Sequence, residues 1–196
     1  SKTKPICNFA DKTTHTMQKS TFEAILAAQR SSKEIYCHTI TAADIDNGAA
    51  ELANGFFIIL VTNGTTAISD TYDFEAGARD LMLLTPSMRA AFTDIDDTVS
   101  MICLGIDPDY FDSLRDGQAM YAQLSRFIRE CGYPLLHTSP EEFDCLRRTL
   151  ELFLSAADNL DFGRNAVTDR LCGFLLLQTA ELLSRSNVAR GTLCMK

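Results

Sequence analysis

The sequence predicts a mostly β barrel followed by a helical segment, and three observations carry that prediction. Between Asn54 and Ile106 short apolar runs alternate with turn residues at close intervals, the spacing of a sandwich or small barrel. Beyond Ile106 the apolar period lengthens from two residues to three or four. Two helix starts then follow, Asp107-Pro108 and Ser139-Pro140-Glu141-Glu142, each pairing an N-cap side chain with proline at the first helical position.

Each element has a local reason. Residues 1–19 lack periodicity, and Ser20-Thr21-Phe22-Glu23 fits a capping box opening a short helix from Phe22 to Arg30. Ile35 to Ile40 is a strand, and Asp44 to Gly55 a weakly patterned connection with a turn at Asn47-Gly48. Phe56 to Val61 is apolar on both parities, so both of its faces should be buried. Asn63-Gly64 is a tight-turn dipeptide, and the β-branched run Thr65 to Ser69 restarts the strand pattern. Turns at Asp70 to Asp73 and Glu75-Ala76-Gly77 precede Leu81 to Leu84. Pro86-Ser87 separates that run from Met88 to Phe92, and Asp94 to Asp97 makes an acidic turn before Val99 to Ile106. The first capped helix runs to about Arg115; the next, Met120 to Glu130, is stopped by Gly132 and Pro134. From Ser139 the apolar face reads Phe143, Leu146, Leu150, Phe153, Leu154 and Ala157. A loop from Asn159 to Gly163 leads into a last helix, about Arg164 to Ser184, and Ser184 to Lys196 reads as polar and irregular.

Composition bounds the function. A chain of 196 residues, 46% hydrophobic and 22% charged, has the make-up of a soluble globular domain. Its formal charge of -8 makes it a poor direct ligand for nucleic acid, since phosphate contacts need clustered Lys and Arg. The first 33 residues are the exception: Lys2, Lys4, Lys12, Lys19, Arg30 and Lys33 face only Asp11 and Glu23, as in a solvated basic arm. Seven cysteines with no CxxC pair, and no signal peptide, indicate reduced thiols and a cytoplasmic location. The longest apolar cluster, Leu171 to Leu183, is too short to span a bilayer.

The apolar strand before Gly64, then Gly77, then Asp80-Leu81-Met82-Leu83-Leu84 with Pro86 close behind, resembles a cupin barrel, the double-stranded β-helix or jelly-roll fold. More narrowly it is similar to the N-terminal sensor and dimerisation domain of AraC-type transcription regulators. Leu104-Gly105-Ile106-Asp107-Pro108-Asp109-Tyr110-Phe111 matches the point where members of that family leave the barrel for a helix. The resemblance covers roughly residues 35–186. It implies an N-terminal arm and short helix over 1–34, a ligand-binding barrel over 35–106, a helical dimerisation segment over 107–186, and from 187–196 a linker to a helix-turn-helix DNA-binding domain absent from this chain.

A cupin enzyme would hold Fe, Mn, Zn or Ni on His and Glu side chains. The resemblance places those ligand positions near Glu51, Ala53, Phe57 and Ala90, of which only the first is a metal-binding type, and no His lies between His38 and His137. No metal and no other cofactor is therefore expected. The Asp94, Asp96 and Asp97 group lacks the spacing of a Ca²⁺ loop. No GxSxG elbow, Cys–His arrangement or phosphate-binding Gly loop occurs, so no catalytic residue is assigned. His15 falls in the arm and His137 in the Gly132 to Ser139 loop, where solvated or capping roles are commonest.

The expected site is a pocket. Strand alternation from those mapped positions turns Phe57, Ile59 and Val61 into the barrel, with Met88, Ala90 and Phe92 from a later strand. Tyr36 and His38, of one parity on the first strand, would supply polar groups to a small organic effector. The apolar side chains could equally fill the barrel; the resemblance favours a hollow one. The last helix carries Val167, Leu171, Phe174, Leu175, Gln178 and Leu182, with Leu176, Leu177 and Leu183 widening the stripe beyond what one neighbour covers. Those first six residues are the expected homodimer surface, the alternative being a helix sandwiched within the monomer. The alternatives are a stand-alone cupin enzyme, a metal-dependent isomerase or dioxygenase, and a cupin-fold binding module with no regulatory partner.

Overall fold

A computed structural model of the chain describes residues 34–45, 50–159 and 166–193. The expected arm and its capping-box helix, His15, and the Asn47-Gly48 turn lie outside the described residues. Among the described residues nine strands and four α-helices follow in order: β1 (Ile35–Thr41), β2 (Ala50–Leu52), β3 (Phe56–Asn63), β4 (Thr65–Asp70), β5 (Phe74–Gly77), β6 (Asp80–Leu84), β7 (Ala90–Thr93), β8 (Ser100–Ile106), α1 (Pro108–Ser113), α2 (Gly117–Cys131), β9 (Leu135–His137), α3 (Pro140–Asn159) and α4 (Ala166–Leu193).

The strands form two antiparallel sheets, β1-β8-β3-β6-β9 and β2-β7-β4-β5. From β1 to β8 every connection except β4–β5 passes from one sheet to the other, so the chain coils around a common interior. This is the cupin-like jelly-roll barrel that the sequence predicts, with helices added to one side.

The five-stranded sheet is buried on both faces. Alternate residues of β3 separate as the sequence indicates: Phe56, Ile58 and Leu60 join a core with the helices, while Phe57, Ile59 and Val61 join a second core between the sheets. Leu124, Phe127, Leu146, Leu150, Phe153, Leu175 and Leu176 complete the helical core. Burying a side chain of this size contributes roughly 1.5–3 kcal/mol, which is why this one sheet anchors both halves.

The helix starts behave as read. Asp107 accepts hydrogen bonds from the backbone N–H of Asp109 (2.9 Å) and Tyr110 (3.2 Å). Ser139 and Glu142 form the reciprocal capping box, Glu142 N–H to Ser139 Oγ at 3.3 Å and Ser139 N–H to Glu142 Oε2 at 2.9 Å.

Four expectations change, the first being that Glu75-Ala76-Gly77 is not a turn but part of β5, paired with β4. The Asp44 to Gly55 connection contains a strand, β2, paired with β7. The Gly132 to Ser139 segment is not a free loop: β9 adds an edge to β6, with Thr138 Oγ1 donating to Arg79 O at 2.6 Å. Ser184 onward is not irregular, because α4 continues to Leu193. No proline interrupts that stretch, and the Glu181–Arg185 pair at i,i+4 spacing supports it.

Candidate functional site: the inter-sheet core and the outer helix face

The space between the sheets is lined from both walls. Tyr36, Phe57, Ile59, Met82 and Cys103 contribute from the five-stranded sheet, and Leu52, Ile68, Ala76, Ala90 and Phe92 from the four-stranded one. Six of the seven expected pocket residues, Tyr36, Phe57, Ile59, Met88, Ala90 and Phe92, thus come together in one cluster. His38 follows Tyr36 on the same face of β1 and is half-buried.

Among the described residues the interior is filled, not hollow. Phe57, Ile59, Ala90 and Phe92 are each at most 1% exposed, so no water-sized space adjoins them. Tyr36 meets Phe57 edge to face, with ring centroids 6.4 Å apart and planes at 68°. Met88, at 9%, is the most exposed of the cluster, and half-buried Tyr72, Phe74, Ile95 and Tyr133 close around the core. Phe74 stacks on Tyr133 at 5.7 Å, joining β5 to the α2–β9 connection.

The mapped ligand positions do not converge. On β2 it is Leu52 that points inward, opposite Ala90; Glu51 points outward and pairs with Arg89, which also reaches Asp70 at 3.3 Å. Glu51 thus stands on the opposite face of β2 from the expected one, and a one-residue slip of register is enough to exchange the faces. Among the described residues no three His, Cys, Asp or Glu side chains are grouped to hold a metal. His137 is bound to Asp80, Nδ1 to Oδ1 at 2.6 Å, while Asp80 Oδ2 accepts from Gly77 N–H at 2.8 Å. Sequence reasoning missed this pair because nothing in the three residues of β9 sets a period. The Asp94 to Asp97 segment is a turn in which the Thr98 backbone N–H, then its hydroxyl, hold the Asp96 carboxyl below the usual range.

The described cysteines are free thiols. Burial pushes the Cys172 thiol up to about 12 and raises Cys37 as well, with Cys103 and Cys172 adding to the latter. Both serve as small apolar groups in the helical core.

On α4, Leu175 and Leu182 face the intrachain core and Leu171 and Gln178 are half-buried, Gln178 accepting from Thr149 Oγ1 at 3.2 Å. Val167 and Phe174 are exposed, as are Leu177 and, on α3, Leu152. The outward apolar face is therefore Val167, Phe174 and Leu177, with Leu152 beside it on the neighbouring helix. Tyr110 of α1 donates its hydroxyl to Asp169, fixing the start of α4 against the barrel exit.

No family model matches the chain, and no curated protein does. Solved structures resemble it in shape. The AraC-like transcriptional activator CuxR aligns over 69% of this chain and 48% of its own, at 11% identity and a TM-score of 0.43. An apo form of ToxT from Vibrio cholerae aligns over 80% of this chain and 57% of its own, at 13% identity and a TM-score of 0.49. The EutQ protein of Clostridium difficile aligns over 39% of this chain and 70% of its own, at 17% identity and a TM-score of 0.29. The chain spans about half the length of the two regulator structures. Among the described residues no helix is long and apolar enough to cross a membrane.

Proposed function

We propose that the chain is the effector-sensing and dimerising part of an AraC-type transcription regulator, cytoplasmic and without catalytic activity. A small organic molecule binds between the sheets against Phe57, Ile59, Ala90 and Phe92, with Tyr36 and His38 as its polar contacts. The observation that carries this reading is a single sheet whose inner face lines an apolar core and whose outer face seats helices with Phe174 and Leu177 left exposed. Because the interior is filled, binding proceeds by displacement, with the flexible Met88 and the Phe74–Tyr133 stack yielding first. Such a ligand selects between two arrangements only if it binds them unequally. On this reading DNA is contacted by a helix-turn-helix domain of the regulator and not by this acidic segment. The alternative of a metal-dependent cupin enzyme gains no support from the outward-facing Glu51.

Native mass spectrometry of the purified chain, with metal analysis of the same sample, tests the reading. The expected result is a metal-free dimer that takes up a small organic molecule. A monomer carrying one transition metal would overturn it.

A further inference from the structure

We infer that a second small-molecule site, for a compact aromatic cation, lies on the opposite side of β3 from the inter-sheet core. A cleft of about 240 Å³ opens where the barrel meets the first two helices. Phe56, Pro86, Phe111 and Tyr121 make it mainly apolar, and Asp112 and Gln118 stand among its lining residues.

The apolar floor is held rigid. Phe111 stacks on Phe56 with centroids 4.1 Å apart and planes at 13°. Its ring also lies against Gly117, where a Cβ would come within 2.8 Å of Phe111 O and 3.3 Å of the ring. Held between these two and only 5% exposed, Phe111 forms part of a fixed apolar floor. Tyr121, 46% exposed, supplies an aromatic wall beside that floor.

Polarity decides the class of ligand. No cationic side chain among the described residues pairs with Asp112, and Gln118 makes no hydrogen bond there. A carboxylate beside one exposed aromatic ring, that of Tyr121, favours an ammonium, through charge and through that ring together. An anionic aromatic of the same shape meets only repulsion from Asp112. The site also touches α2, which lies along α4, so its occupancy reaches the helix that bears the exposed apolar face.

The site is independent of the ligand proposed for the inter-sheet core, because Phe56 and Phe57 point to opposite faces of one strand. The chain contains no Trp, so the fluorescence of an indole probe is read without interference. Tryptamine and indole-3-acetate are titrated with the chain and followed by anisotropy. Tryptamine is expected to bind saturably and about fivefold tighter than the acetate. Asp112→Asn should remove that preference, and Ala122→Phe, which fills the cleft from an exposed helix position, should abolish binding. Unchanged binding in Ala122→Phe places the probe elsewhere and overturns the site. Equal affinity for the two probes, or an undiminished preference in Asp112→Asn, overturns the ligand class. Either result leaves the dimer and inter-sheet measurements as they were, so the two readings fail separately.

Discussion

Tyr36 lies across Gly105, its cross-strand partner on β8, so closely that a Cβ at position 105 would fall 2.0 Å from the ring. The ring cannot retreat without pushing on Phe57, which is itself buried. Gly105→Ala is therefore expected to lower unfolding stability by about 1–3 kcal/mol, the range for an overpacked core. Urea denaturation checks it, and an unchanged midpoint would show that the ring moves freely. At this scale the sequence was informative about facing and silent about fit. Strand parity, counted from positions that the resemblance implies, put Phe57, Ile59, Ala90 and Phe92 on one interior. Whether that interior was empty depended on side-chain volumes from two sheets meeting across a gap, which no local pattern encodes. Glu51 shows the same limit, because its register came from a turn-based alignment and its true partner, Arg89, is 38 residues away.

At the scale of elements, capping signals were the most legible feature. Ser139 and Glu142 sit in the reciprocal geometry that their spacing implies, at the start of the helix that seats Leu146, Leu150 and Phe153. Ser139→Ala should cost about 1 kcal/mol in chemical denaturation while leaving helix content intact. A larger loss would mean that the turn also holds β9 in place. β2 and β9 went unread for one reason: each has three residues, too few to express a period of two. They exist because neighbouring edges, β7 and β6, offer unpaired backbone groups that the segment can satisfy. The extension of α4 to Leu193 was missed through its polar composition, although polar residues without proline or paired turn signals are compatible with an exposed helical end.

For the whole molecule, exposed apolar surface is the main datum. Phe174, 56% exposed, and Leu177, 50% exposed, stand on the same helix as fully buried Leu175 and Leu176. Phe174→Glu is expected to convert the proposed dimer to a monomer in light scattering, with the circular dichroism spectrum retained. Leu175→Glu should unfold the chain instead, since it would place a charge in the helical core. If Phe174→Glu stays dimeric, the interface lies elsewhere on the surface. The stripe was visible in the sequence, but its direction was not: five apolar positions and Gln178 along one side of a helical wheel, widened by Leu176, Leu177 and Leu183, leave the choice of inward face to the neighbours. The two-faced sheet has a mechanical consequence. Ile58 and Ile59 share one backbone yet belong to different cores, so the thickness of a single peptide layer separates the chamber from the helices. Protein interiors compress little. A guest that swells the inner chamber must bow this diaphragm outward, and the helices resting on it ride with the bulge, with no chain of relaying residues needed between them.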